Sequence, residues 1–441
     1  MKRFIFSLLC LLVLVLPHTA FADDGTYIVT LKDRVSLYGL CPDNERDYVV
    51  LSSEELAEYL EAGIVENYEP NYKVELLGDT WNLDAVNCNF AWELGCFGNE
   101  VRIGIIDSGL YPAAELQDNI IAGKNYLTGT TDTADNVGHG TFVAGIIASE
   151  SRGISYKSKI VPLKCFEKDT DTYVDDILGA IYDAIDVYDC DVINMSLGVP
   201  ADASTLETAI TYAVDNGAIV VSAVGNDGET TVYYPAGYDN VVGVGSVDEA
   251  SVVSWFSQYN ESVFVTAPGE NVISLGTGSG LYSIGDGTSF AAPHVSALAA
   301  IAKCIDKDID TTRFKEILRV SSQDLGEAGY DVYYGYGLVN FESFIKEMLK
   351  STPVFMSPIN SENEKVYSVI YNNSENNKTF SAICTLYNGN ALKNCFVDTI
   401  ELLPNEKYRF ETSSSDGYVK HMLWNNLSSL EPVINYRDIN N

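Results

Sequence analysis

The sequence predicts an α/β protein: a doubly wound parallel sheet with helices on both faces, preceded by a small α+β unit and followed by a β-sandwich module. Three observations predict it. Short β-branched runs without polar alternation occur at VRIGIID (101–107), IVPLKCF (160–166), VINMS (192–196), AIVVSAVGN (218–226) and VVGVGSV (241–247), and strands of that kind are buried on both sides. Helical periods lie between several of them, one with Val174, Ile177, Leu178, Ile181 and Ile185 on a single face, another from Leu206 to Val214. Strands alternating with helices imply parallel pairing. Lastly, 441 residues at 46% apolar suffice for two to four compact units of ordinary size.

In chain order, Lys2 and Arg3 precede an apolar run from Phe4 to Leu16, and Ala20-Phe21-Ala22 offers small residues around a cleavage point. That is the layout of a secretory signal peptide, residues 1–22. A run of thirteen positions falls short of the roughly 20 that span a bilayer. Residues 23–77 hold an extended run YIVTLK (27–32), a helix start at Ser52 or Ser53 with Glu54-Glu55 ahead of Leu56, Tyr59 and Leu60, and a second extended run YKVELL (72–77). The α/β domain covers 78–350. Thr352 to Glu364 reads as a linker, from its two prolines and its Asn and Ser content. Within 351–441, KVYSVIY (365–371), TFSAICTLY (379–387), CFVDTIEL (395–402) and KYRFET (407–412) alternate, with Asn388-Gly389 as a turn.

The charge balance is 27 basic against 62 acidic residues, a net −35. Phosphate backbones and anionic lipid surfaces are repelled by such a chain, which argues against nucleic acid and membrane-surface partners. No later segment is long and apolar enough to span a membrane. Export makes disulfides admissible; Cys10 leaves with the signal, and Cys88/Cys96, Cys165/Cys190 and Cys384/Cys395 are close enough in sequence to pair. Spacing leaves bridges and buried thiols equally open. No CxxC occurs, so zinc has little support.

Chemistry emerges by elimination. Of four histidines, His18 belongs to the signal and His421 to the β-module, leaving His139 and His294. His139, in GHGT, opens the apolar helix Phe142 to Ala148 at a sheet edge, where side chains point into a cleft. His294 sits inside SFAAPHVSALAAIA (289–302) and reads as packed. Ser289 follows Gly285-Asp286-Gly287-Thr288 at the start of that second helix, where N–H groups and the dipole favour negative charge; alone, it would be an N-cap. Asp107 closes the first buried strand and Asn226 ends another. A carboxylate, an imidazole and a hydroxyl on one rim make an orienter, a base and a nucleophile, with the Asn226 amide and the Ser289 N–H as oxyanion donors.

The motifs IGIIDSG (103–109), GHGTFVAGI (138–146), INMSLG (193–198), AVGN (223–226) and GTSFAAPHV (287–295) resemble those of subtilisin-like serine proteases over about residues 79–345. The Asp, His, Ser chain order is the one the family is known for. The resemblance implies a secreted endopeptidase working through an acyl-enzyme on Asp107, His139, Ser289 and Asn226. It also implies that Ser196, Leu197 and Gly198 pair with a polypeptide substrate as an added strand, and that Ala223, Val224 and Gly225 form one wall of the pocket for the side chain before the cut. Residues 23–77 resemble the family's inhibitory prodomains, which suggests that the chain's own prodomain acts as inhibitor, with self-cleavage near Leu77–Gly78. A monomer is expected.

Three departures qualify this. Ser149 to Lys159 is shorter than the family's usual calcium loop, so no metal ligand is carried over and no cofactor is required; the acidic residues leave calcium open elsewhere, though without EF-hand spacing. Tyr233 stands before Tyr234-Pro235, where many relatives have a pocket-floor glycine. It either shrinks the pocket, favouring a small or medium apolar residue, or swings out; cleavage after Leu77 needs room beside it. The β-module is absent from the simplest subtilisins, and ligand binding, envelope association and spacing all stay open for it. Two alternatives stand beside a broad secreted endopeptidase: a processing protease for one partner, and a binding protein on an inactive protease scaffold. The intact set of four residues speaks against the latter.

Overall fold

The computed structural model describes residues 26–31, 49–70, 80–168, 172–277, 282–362, 365–388, 391–413, 418–424 and 432–438. The expectations for the signal, for 72–77 and for the Leu77–Gly78 bond lie outside these. The chain divides into two compact units, 1–78 and 79–441.

The first unit is a three-stranded antiparallel sheet of β1 (Thr26–Leu31), β2 (Val49–Ser52) and β3 (Val65–Pro70) in the order β2-β1-β3. Helix α1 (Ser53–Glu61) follows β2 directly. Its start is a reciprocal capping box: Ser52 Oγ accepts from Glu55 N, and Glu55 accepts from Ser52 N. Val29, Val49, Leu51 and Leu56 form the small core.

The second unit opens with two one-turn helices, α2 (Trp81–Ala85) and α3 (Asn89–Glu93). Its centre is a seven-stranded parallel sheet of β4 (Arg102–Asp107), β5 (Lys124–Asn125), β6 (Lys159–Lys164), β7 (Val192–Met195), β8 (Ile219–Ala223), β9 (Val242–Val247) and β10 (Val265–Pro268). The order is β10-β9-β8-β7-β4-β6-β5. The chain leaves β4 toward one side and returns to β7 on the other, so β4 is the switch point, and a crevice opens at the carboxyl ends there.

Both faces of the sheet are covered, as the unbroken apolar runs require. Ile103, Ile105, Val192, Ile219 and Val221 face one core with α4 (His139–Ala148), α7 (Thr288–Ile305), α8 (Thr311–Ser321) and α9 (Phe341–Met348). Ile106, Ile193 and Val220 face the other, with α5 (Val174–Asp186) and α6 (Ser204–Asp215). Each buried Ile or Val contributes about 1.5–3 kcal/mol relative to exposure. The expectation that no segment after the signal is long and apolar enough to span a membrane does not hold on length and composition: helix α7 is, yet it is almost wholly buried as the central core helix. The hairpin β11 (Val272–Leu275) and β12 (Tyr282–Gly285) precedes it.

The linker expectation for 352–364 does not hold. Val354–Met356 (β13) and Asn360–Glu362 (β14) are strands, both antiparallel to β15 (Lys365–Asn372), whose remaining edge pairs with β18 (Lys407–Ser413). A second sheet, β17-β16-β19-β20, comprises β16 (Lys378–Asn388), β17 (Ala391–Leu402), β19 (Tyr418–Trp424) and β20 (Pro432–Asp438). Val366, Ile370, Phe380, Ala382, Leu402 and Phe410 pack between the two sheets as a sandwich. Cys88, Cys165, Cys190, Cys384 and Cys395 are free thiols, so none of the three close cysteine pairs is bridged.

Candidate active site

Asp107 ends β4 and is buried at the crevice; His139 opens α4. The two are locked together, Nδ1 of His139 lying 2.8 and 2.9 Å from the two Asp107 carboxylate oxygens. Because a carboxylate accepts, Nδ1 carries the proton and Nε2 is left as the basic nitrogen. Close approach depends on Gly140: a Cβ there would lie 2.3 Å from the Gly109 carbonyl oxygen and 3.2 Å from Asp107 Cβ. Burial pushes the imidazole's pKa down, but the charge and hydrogen bond of Asp107, with the charge of Asp135, outweigh it and raise the pKa above the ordinary 6.5.

Asp135 is a residue the motif reading passed over. Its buried carboxylate accepts from Ser108 Oγ (2.9 Å), Val137 N (3.0 Å) and Gly138 N (2.8 Å) on one oxygen, and from Thr141 N (2.9 Å) and Oγ1 (2.5 Å) on the other. Ser108 Oγ in turn accepts from Gly140 N at 2.9 Å. One carboxylate thus fastens the end of β4 to the start of α4, at the helix terminus where negative charge is favoured. Lys164 Nζ, also buried, donates to the Ser108 and Ala134 carbonyls at 3.0 and 2.8 Å and braces the same junction.

Ser289 is the second residue of α7, whose first-turn N–H groups have no intrahelical partner. Its hydroxyl donates to the Ser196 carbonyl at 3.2 Å, and the Phe290 ring lies against His139 with centroids 5.5 Å apart. Pro293 lacks the N–H that would bond the Ser289 carbonyl; Ser196 Oγ supplies the missing donor at 2.7 Å. Segment 196–198 is thereby fixed to the turn carrying the hydroxyl. Asn226 Oδ1 accepts from Thr288 N and Oγ1, each at 2.8 Å, which settles the amide's orientation and leaves Nδ2 to donate. A Cβ on Gly287 would lie 3.5 Å from Asn226 Nδ2 and 3.6 Å from Ser289 N, so the glycine keeps open a niche lined by both donors.

The remaining expected residues divide. Ser196, Leu197 and Gly198 extend from the end of β7 along the crevice. Ala223 ends β8 with its side chain buried in the core, and Gly225 follows two residues on, beside the Tyr233 ring. Val224 does not line the crevice with its side chain, which is fully buried against Ala236 and Val263; alternation along an extended segment turns it inward. Tyr233 has not swung out: its ring lies between Gly198 and Gly225, and its hydroxyl donates to Asp227 at 2.7 Å. His294 is packed, as expected. Nδ1 faces the Phe290 carbonyl at 2.9 Å and Nε2 the Asn82 amide nitrogen at 2.9 Å. No cluster of potential metal ligands occurs among the described residues.

Comparison with known proteins decides the class, since residues 98–337 match the family model described as the subtilase family. The chain belongs to the subtilase family. It is 34% identical over 271 residues to the minor extracellular protease Epr of Bacillus subtilis (strain 168), covering 60% of this chain and 41% of that one. It is 31% identical over 333 residues to the thermophilic serine proteinase of Bacillus sp. (strain AK1), covering 73% and 81% respectively, and 33% identical over 268 residues to subtilisin BL of Lederbergia lenta, covering 60% and 97%. A solved protease structure from Pseudoalteromonas arctica PAMC 21717 superposes with a TM-score of 0.55 at 28% identity, over 59% of this chain and 94% of that one. This subtilase is a serine endopeptidase by class, and the β-sandwich lies beyond the residues that match the family model.

Proposed function

We propose that this subtilase is a secreted endopeptidase that hydrolyses polypeptides through an acyl-enzyme and is made as a precursor that removes its own amino-terminal unit. Asp107 is the orienting carboxylate, His139 the base, Ser289 the nucleophile and Asn226 an oxyanion donor. The observation that carries the reading is the grip of both Asp107 oxygens on His139 Nδ1, which fixes the tautomer that leaves Nε2 free to take a proton on the rim shared with Ser289.

In the first step Ser289 Oγ bonds to the scissile carbonyl carbon as its proton passes to His139 Nε2. The carbonyl oxygen becomes an oxyanion and accepts from Asn226 Nδ2 and the Ser289 N–H. Collapse breaks the C–N bond while His139 returns the proton to the leaving amine. Water then repeats the sequence on the ester, releasing the acid and restoring Ser289. The Ser289 hydroxyl, bonded to the Ser196 carbonyl in the free chain, must turn to His139 Nε2 for this transfer, a tightening common when substrate arrives. No step draws on a cofactor. The basic-apolar start of the sequence and a relative named as extracellular support export.

Expression of the parent and Ser289→Ala in a protease-deficient host tests this. The parent should digest casein and lose its amino-terminal unit, while the variant does neither and still unfolds in a cooperative melt. Equal trimming of both chains would overturn self-processing, and equal casein turnover would overturn the role of Ser289.

A further inference from the structure

We infer that Tyr233 fills the pocket for the side chain before the scissile bond, so that this subtilase cuts after glycine, alanine or serine and rejects leucine and aromatic residues. The inference rests on the protease reading above and names its substrate class.

The geometry comes from both walls of the crevice. The family resemblance assigns the side chain before the cut to the gap between segment 196–198 and segment 223–225. That gap holds the Tyr233 ring. A Cβ on Gly198 would lie 3.1 Å from Tyr233 Cβ and 3.2 Å from Cδ1, while a Cβ on Gly225 would lie 3.0 Å from Cδ2 and 3.4 Å from Cε2. One edge of the ring rests on each glycine, so the phenyl spans the gap. Both ends of the side chain are tied. The backbone is held by reciprocal hydrogen bonds of Tyr234 with Val199, each 2.9 Å, and by Gly237 N donating to the Tyr233 carbonyl at 2.9 Å. The hydroxyl is latched to Asp227, which directly follows the oxyanion donor, and Asp227 N is anchored on Gln258 Oε1 at 3.1 Å. The backbone bonds fix where the ring starts, and swinging the ring out for a bulky side chain breaks the hydroxyl's bond to Asp227.

The pocket also bears on maturation. Cleavage after Leu77 would put leucine against the ring. Between Pro70 and Trp81, Gly78 is the only glycine, alanine or serine, so the expected cut moves one bond on, to Gly78–Asp79.

The test is the ratio of kcat/KM for two chromogenic tripeptide amides that differ only in alanine or phenylalanine before the cut. A ratio within one preparation is independent of the fraction folded. The full chain should favour alanine by at least tenfold, the size expected when a pocket excludes a larger side chain. Tyr233→Gly should shift the ratio toward phenylalanine by at least tenfold, and Tyr233→Phe, which keeps the ring but loses the latch, by less. The parent's mature amino terminus should read Asp79. A parent that favours phenylalanine, a ratio unmoved by Tyr233→Gly, or a terminus at Gly78 would overturn the inference while leaving the protease reading intact. Hydrolysis of neither amide, with casein also intact, would overturn the protease reading and this inference with it.

Discussion

At the scale of single residues, the site separates groups that react from groups that aim them. Asn226→Ala removes one oxyanion donor, and kcat should fall about 10²–10³-fold with KM little changed, the range known for subtilisin's own asparagine donor. Steady-state kinetics on a peptide amide check it. His139 must be neutral to act as base, so activity rises with pH through its pKa. Because that pKa is raised by Asp107 and Asp135 against the pull of burial, the acid limb of kcat/KM should have its midpoint above 6.5. Asp135→Asn should move the midpoint down, which a pH–rate profile will show. The residues proposed to react were legible in the sequence because strand ends and helix starts are recognisable from apolar periodicity, and Asp107, His139, Asn226 and Ser289 stand at such places. Asp135 was not, since an aspartate in a polar loop has the composition of a solvated turn. Only the five donors converging on it show otherwise.

At the scale of elements, close packing of helices on the sheet governs both stability and chemistry. Gly140→Ala would drive a methyl into the Gly109 carbonyl. Overpacking of this kind costs about 1–3 kcal/mol and here also pries α4 from β4, so Tm and kcat should fall together. Helix α7 carries a second dependence. Burial pushes His294 down to about 4, and does the same to His421 in the β-sandwich. Both are stabilised as neutral rings, so their contribution is complete above the unfolded value near 6.5 and is lost as pH falls toward 4, about 3 kcal/mol each by linkage. Urea midpoints should therefore drop steeply between pH 6.5 and 4, and less steeply in His421→Phe. The five buried strands and four of the helices were readable from sequence. Strand β10 and the hairpin were not, because four-residue segments beside Gly and Pro are too short for a period to show; helices α8 and α9 carry a clear apolar face that the reading of the strand–helix alternation left out.

At the scale of the whole second unit, the sandwich is built into the catalytic fold. Asn360 is the hub: its amide nitrogen donates to the Gly95 carbonyl at 2.9 Å, and its oxygen accepts from Asn99 Nδ2 at 2.9 Å and Lys157 Nζ at 3.0 Å. Phe97, Tyr367 and Val369 form a shared apolar cluster with Trp92 and Tyr156, and Lys407 pairs with Glu93 while lying over the Phe90 ring. Removing residues 351–441 should uncover these aromatics and lower the unfolding free energy by several kcal/mol, since each buried aromatic or aliphatic side chain carries about 1.5–3 kcal/mol; denaturant titration of the truncated chain reads it directly. The polar, proline-bearing stretch 352–364 looked like a tether because its strands are three residues long and their partners lie downstream, beyond any local pattern.

These contacts engage the segments leading into β4 and β6, at the amino ends of two parallel strands, and Asp107 lies at the carboxyl end of β4. The sandwich therefore grips the pole farthest from the crevice. A bead, a resin or a cell wall holding this enzyme by its tail would leave the mouth facing outward, able to work on a substrate as large as a fibre without the support standing in the way.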